Sequence, residues 1–422
     1  MNKIFVLITT LMMIITSCDR KNESTNEKEK IPGTVVLEWN EIAYHAFGGT
    51  SYQHSLMASR INAMTQIAIH DAINAIQPRY QVYAFTGTDA GADPIAAAAS
   101  AAHTVLVHEI PGKKDYLDSA LQASILVIPE SDAKARGIQL GKQAGEAILA
   151  ARDNDGSAGE VVGNIPPSNT PGVYQAVPPF GFVFAPHWEN IKLFSLQNKS
   201  QFRPEAPPAI TSEDYTTSFN EVKETGKLNG ASRTADQTAY TQFWYEFSEA
   251  GWNRIARVVA ISKNLDLYEA ARLLALVDIA LADAYTAGWD AKFYYNFWRP
   301  FTAIRNAAND NNNYTMPDEQ WEPAAPTPPV QDYPSTHSAL GNAAATVMAR
   351  ILGDNTKFSF SSPTAVPAGN SRSFTSFSQA ADENADSRVR GGIHFRFACE
   401  AGQELGNKIG NWVVETKLKP LQ

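Results

Sequence analysis

The chain has 422 residues, 44% of them apolar and 19% charged, which is ordinary globular composition with ample material for a core. Its 35 Lys and Arg against 44 Asp and Glu give a net charge of −9, which excludes a general electrostatic affinity for nucleic acid. The two cysteines exclude a disulfide framework and cannot by themselves supply a structural zinc site.

Lys3 precedes an apolar run from Ile4 to Ile15, followed by Thr16-Ser17-Cys18. The run is short of the roughly 20 residues needed to cross a bilayer, and its layout is that of a secretory signal. Ile15-Thr16-Ser17-Cys18 resembles a bacterial lipobox, which implies that Cys18 is lipidated and becomes the mature N-terminus. In residues 19–30 eight of twelve are charged and none is apolar, so this stretch cannot bury enough surface to fold and suits a solvated tether. The expected organisation is a signal over residues 1–17, a lipidated cysteine and tether over 18–36, and a single helical domain over 37–422. Within that domain we expect an N-terminal helical part at about 37–160 and a C-terminal bundle at about 212–422. No later stretch reads as a membrane span, so the expected location is the bacterial cell envelope, at the periplasm or outer-membrane surface, held by the lipid alone. Cys399, with Phe397 and Ala398 beside it, reads as buried and inert.

Apolar residues recur every three or four positions over 57–76, which predicts a helix, and the Ala-rich stretches 94–110, 115–127 and 132–152 behave likewise. A Gly/Pro-rich connection over 155–210 has no strong periodicity and is expected to wrap the surface. Helices are predicted again at 213–225, 233–248, 252–262, 267–296, 336–352 and 396–417, with a long loop over 306–333. Alternating patterns are scarce, and neither an internal repeat nor a Gly-rich phosphate loop is visible. The fold class is all-α, built as helical bundles with long surface loops.

Three segments carry chemistry. They are Lys292 to Arg305, Tyr333-Pro334-Ser335-Thr336-His337, and Ser387 to Arg396. The first and third hold Lys292, Arg299, Arg305, Arg388, Arg390 and Arg396 with no acidic residue, a local reversal of charge within an acidic protein. Cations in apolar and aromatic surroundings point to a dry pocket that takes an anion. Lys292 and Arg299 are seven apart, which on one helix is two turns and a shared face, with Pro300 ending or kinking it. Pro334-Ser335 reads as a helix start whose hydroxyl and free N–H groups face an anion. Gly391-Gly392 permits a tight turn between Arg388 and His394.

Taken together, Lys292-x6-Arg299-Pro300, Pro334-Ser335-x-His337 and Ser387-Arg388-x5-His394 resemble the signature of the vanadium-dependent haloperoxidases. That family shares its site with the type 2 phosphatidic acid phosphatases. The flanks Phe297-Trp298, Thr302-Ala303-Ile304-Arg305 and Thr327-Pro328-Pro329 fit the haloperoxidase side. The resemblance implies vanadate as cofactor, with His394 coordinating vanadium. Lys292, Arg299 and Arg388 would neutralise its oxygens, and Ser335 and the backbone N–H of Thr336 would donate further hydrogen bonds. His337 would be the acid–base group, and Lys292 would polarise bound peroxide toward the halide. Hydrogen peroxide and a halide, bromide or iodide before chloride, would be the substrates, with an organic acceptor as a further partner.

The sequence departs from the family at Thr336, where glycine is usual. A positive φ would be costly for a β-branched residue, so we expect a negative one. Val330 stands where the family places an aromatic or His beside the halide, while Trp289 matches a family aromatic on that side and Asp290 follows it. Glu246 is a candidate to orient one of the arginines, and His70-Asp71 reads as a structural pair. Two rivals remain open. An acid phosphatase would use the same pocket with His394 as nucleophile, and an oxyanion-binding lipoprotein would need the cations but not His337.

Overall fold

The structure, a computed structural model, describes residues 30–421. The signal, Cys18 and most of the expected tether lie outside those residues. The chain enters its first helix, α1 (Thr34–Phe47), inside the stretch expected to be tether, because Val35 and Val36 are already buried. Next come α2 (Ser55–Asn74), α3 (Pro94–Glu109), α4 (Lys114–Leu126) and α5 (Asp132–Ala151). The Gly/Pro-rich connection holds a minimal hairpin, β1 (Val162–Gly163) with β2 (Val183–Phe184), and it is less superficial than expected because Tyr174, Trp188 and Phe194 are buried. The second half comprises α6 (Glu213–Thr225), α7 (Ala235–Phe243), α8 (Ser248–Ser262), α9 (Leu267–Tyr295), α10 (Pro300–Arg305) and α11 (Thr336–Leu352). A hairpin of β3 (Phe358–Ser361) and β4 (Ser371–Phe374), α12 (Phe377–Arg390) and α13 (Arg396–Thr416) complete it.

The all-α reading is borne out, and most predicted helices stand within two residues of their expected bounds. The helix expected over 233–248 is broken between Phe243 and Ser248. Helix α12 was not foreseen. Seven of its fourteen residues (Phe377–Arg390) are Asp, Glu, Asn, Gln or Arg, interspersed with serines, so its buried face of Phe377, Ala380, Ala381 and Val389 gives a thin apolar signal.

Helix α9 is the axle, about 43 Å long at 1.5 Å per residue. A reciprocal cap starts it: the Asp266 carboxylate accepts from the Tyr268 and Glu269 amides, and Glu269 accepts from the Asp266 N–H. Nearly all of it is buried, since α2 packs on one side and α11 and α13 on another.

Both flanking pairs are close-packed seams. On α13, a Cβ at Gly402, Gly406 or Gly410 would lie 2.3, 2.2 and 2.7 Å from the carbonyl oxygens of Ser335, Ala339 and Ala343 on α11. On α5, a Cβ at Gly137 or Gly141 would lie 2.4 and 2.2 Å from the carbonyl oxygens of Asp93 and Ala97, and one at Gly145 would lie 2.7 Å from the Thr104 Cβ. Glycine every fourth residue facing an Ala-rich helix lets the two backbones approach beyond what any side chain would allow. Two helix pairs thus share one kind of seam, although no repeat is visible in the sequence.

Candidate active site

The site is assembled where three chain reversals meet. Helix α9 stops at Tyr295 because Asn296 takes a left-handed conformation (φ 48°), and Arg299 then caps the separate helix α10, with Pro300 at its first position. Lys292 and Arg299 are therefore not on one helix face as expected; the break brings them together. Each bonds the loop ahead of α11: Lys292 Nζ donates to the carbonyls of Gln331 (2.6 Å) and Asp332 (3.0 Å), and Arg299 Nε donates to that of Val330 (2.8 Å).

Ser335 caps α11, accepting from the Ser338 amide and hydroxyl, so its own hydroxyl proton is left to donate elsewhere. Thr336, first residue of the helix, is absent from the positive-φ residues of the described chain, as expected for a β-branched side chain. Its amide and that of His337 are among the first-turn donors that the helix itself does not use. Arg388 occupies the last turn of α12, and Gly392 (φ 73°) turns the chain to His394.

Arg299, Thr336, His337, Arg388 and His394 line one cavity of about 330 Å³, with Trp289 and Val330 in its wall. Lys292 and Ser335 are fully buried just behind that lining. The connection after β1 contributes Phe180 and Phe182, and β2 contributes Phe184, none of which any sequence signal had marked. An outer cavity of about 400 Å³ shares Gln53, Phe180, Phe247, His337 and Arg388 with the inner one, and adds Tyr44, Tyr52 and Tyr245.

Asp290 does not belong to the site. It forms a bidentate pair with Arg203 (2.8 and 2.9 Å) on the far side of α9, one residue round from Trp289. Glu246 likewise orients neither site arginine; its carboxylate pairs with Arg254 (2.7 Å), and only its backbone carbonyl reaches the site, accepting from His337 Nε2 (3.1 Å). A carbonyl can only accept, so His337 carries its proton on Nε2 and leaves Nδ1 as the basic nitrogen. His70 and Asp71 are the structural pair expected, 3.0 Å apart, and Asp71 also accepts from the amides of Tyr83, Ala84 and Phe85. Cys399 is buried, and burial pushes its thiol up to about 12.

The electrostatics are those of a pocket short of negative charge. Burial pulls Lys292 well below the ordinary lysine value, and nearby Arg299 adds to the effect. Burial brings Arg388 down to about 10; its Nε has no hydrogen-bond partner, and no carboxylate acts on it among the described residues. His337 and His394 are both held well below the ordinary imidazole value by burial, reinforced by Arg388 for the first and Arg299 for the second. Three buried cations and two neutral imidazoles face one carboxylate, Asp332, which carries no signal in the sequence; burial raises it to about 7 against the pull of Arg299 and Lys292. Such a donor set favours a bound anion, and it fits a small trigonal oxyanion. No group of three or more His, Cys, Asp or Glu suited to a bare metal ion exists among the described residues.

A second buried cluster supports the cavity wall. Glu249, fully buried, accepts from Tyr52 (2.5 Å) in the outer cavity and Tyr285 (2.7 Å) in the inner one.

Comparison with known proteins agrees with this geometry. Residues 272–422 match the family model of the VCPO second helical-bundle domain. The vanadium chloroperoxidase of Curvularia inaequalis is 25% identical over 408 residues, covering 75% of this chain; the chain spans about 65% of that relative's length. A bacterial vanadium-dependent iodoperoxidase structure superposes with a TM-score of 0.79 at 28% identity, covering 93% of this chain and 98% of the other. The apo form of a bacterial vanadium-dependent chloroperoxidase gives 0.69 at 18% identity, covering 85% and 92%, a likeness of fold.

Proposed function

We propose that the chain is a vanadate-dependent haloperoxidase, a reading that the match of residues 272–422 to the VCPO second helical-bundle domain supports. It takes hydrogen peroxide, a halide and one proton to hypohalous acid and water. The observation that carries this reading is the convergence of Arg299, Arg388, His337 and His394 on one cavity with unpaired positive charge. Vanadate, when bound, supplies a Lewis-acid centre for peroxide activation without changing its own oxidation state.

The protein's residues do the rest. Lys292, Arg299 and Arg388 neutralise the oxyanion, while the Ser335 hydroxyl and the Thr336 amide complete its hydrogen bonds. His394 is the ligand. His337, neutral and with Nδ1 free, takes a proton from incoming peroxide and returns it to the leaving oxygen. The inner cavity's aromatic wall strips water from the halide, which costs less for the large, weakly hydrated bromide and iodide than for chloride. With Val330 in place of an aromatic or imidazole, neither a π-face nor a proton is offered at that position. The outer cavity, walled by Tyr44, Tyr52, Tyr245 and Phe247, suits an apolar organic acceptor on the exit path. We also infer anchoring at the cell envelope through a lipid on Cys18, which intact-mass analysis of the membrane-extracted protein would show or refute.

The deciding experiment loads apoprotein with orthovanadate and follows bromide- or iodide-dependent peroxide consumption, with His394→Ala as control. Hydrolysis of a phosphate ester that vanadate merely inhibits, with no halide oxidation, would replace this reading by the phosphatase.

A further inference from the structure

We propose that Asp332 is the positioning residue for His394, holding the imidazole proton on Nδ1 so that Nε2 presents its lone pair to the bound oxyanion. The inference rests on the oxyanion-site reading above. Asp332 Oδ1 lies 2.9 Å from His394 Nδ1, and the carboxylate is wholly buried. The two atoms are within reach but not aligned as a hydrogen bond; neither carboxylate oxygen has a hydrogen-bond partner, and Arg299 NH1 stands farther off, at 3.7 Å. Arg299 NH1 stands 3.0 Å from Nε2 and 3.3 Å from Nδ1, so that guanidinium does not by itself select a tautomer, and the selection falls to the carboxylate.

The backbone that carries this carboxylate is held on both sides. The Asp332 amide donates to the Phe297 carbonyl (3.0 Å), and its carbonyl accepts from Lys292 (3.0 Å). Residue 332 is thus pinned by the same two segments that carry Lys292 and Arg299. A carboxylate behind a ligating imidazole fixes its tautomer and raises its basicity, and loss of such a partner costs about 10- to 100-fold in affinity for the ligated group.

The test exploits the different demands of two anions. Vanadate needs the Nε2 lone pair, whereas orthophosphate bound as a free ion needs only the cations and donors. For Asp332→Asn, equilibrium dialysis should show vanadate affinity falling about 10- to 100-fold. Orthophosphate affinity should stay within about threefold or tighten, because a negative charge has been removed. Retained vanadate affinity, or parallel weakening of both anions, overturns the proposal. Nitrogen-15 NMR of His394 in the wild-type apoprotein tests the same tautomer without relying on the variant's folding: a proton on Nδ1 is expected, and one on Nε2 overturns the proposal. Wild-type protein that binds phosphate but shows no preference for vanadate would overturn the site reading itself, a result distinct from a loss confined to the variant.

Discussion

The α3–α5 and α11–α13 seams are built alike and differ in what stands at their ends. In the first, the Asp93 amide donates to the Ala133 carbonyl (2.8 Å) and Asp93 caps α3; in the second, the Ser335 amide donates to the Ala398 carbonyl (2.8 Å) and Ser335 caps α11. Each cap lies over the first glycine of its partner helix, Gly137 or Gly402. The N-terminal seam then has Asp93-Pro94, a carboxylate that satisfies the helix end and a proline with no N–H. The C-terminal seam has Ser335-Thr336, a neutral cap and an intact amide. One end is electrostatically closed and the other is open to an anion. A packing unit becomes a binding site through two residues at its tip.

Converting the open end into the closed one should have the largest effect. Ser335→Asp keeps a capping side chain but sets a negative charge a few ångströms from the bound oxyanion. Vanadate affinity should fall by at least about a hundredfold, the scale of like charges at contact in a partly shielded site, with little change in melting temperature. Unchanged affinity would show that the cap does not face the anion.

The seams themselves can be separated next. Gly406→Ala and Gly141→Ala both set a Cβ 2.2 Å from a backbone carbonyl, and each should cost about 3 kcal/mol in urea denaturation. Only Gly406→Ala should also lower the specific activity of the folded protein, because it displaces the helix that starts at Ser335. Equal losses of activity would mean that the two bundles are coupled more tightly than their packing indicates.

Buried acids in the two halves should respond to pH with opposite signs. Burial raises Glu249 from 4.5 to about 7, so it contributes stability below pH 4.5 that is lost as pH rises to about 7. Relative to wild type, Glu249→Gln should therefore gain about 2 to 3 kcal/mol between pH 4.5 and 7 and level off above. Asp155, near the end of α5, is pulled below its ordinary value by Arg60 and Arg152 despite the opposing effect of burial. The destabilisation caused by Asp155→Asn should accordingly shrink as pH falls through the carboxylate range. Chemical denaturation at a series of pH values checks both slopes. The smallest effect is expected from Asp290→Asn, whose ion pair with Arg203 faces away from the cavity: halide-oxidation rates should stay within about threefold.

Much of this was legible in the sequence, and the reasons for the rest are physical. Helices with a broad apolar face, such as α2 and α9, announce themselves through their period. Arg388 and His394 were found through motif spacing although α12 was not, because spacing survives where amphipathicity is weak. The helix end at 296 was expected, yet the shared-face argument carried the helix on to Arg299 and failed there, because nothing local marks Asn296 as the left-handed residue that turns the chain inside an aromatic run. Asp290 misled through its neighbour: adjacent helix positions point about 100° apart, so Trp289 enters the cavity and Asp290 does not. Asp332 carried no signal, since a lone aspartate in a loop reads as solvated until the fold buries it.

The open helix end and its surrounding cations, on this account, hold a vanadate that His394 ligates for halide oxidation. Titrating apoprotein with orthovanadate while recording iodide- and bromide-dependent peroxide consumption tests that claim most directly. The expected result is activity that rises from baseline, saturates at one vanadate per chain, is displaced by excess phosphate and is absent in His394→Ala. Saturable vanadate binding that produces no halide oxidation, or activity that persists without His394, would contradict it.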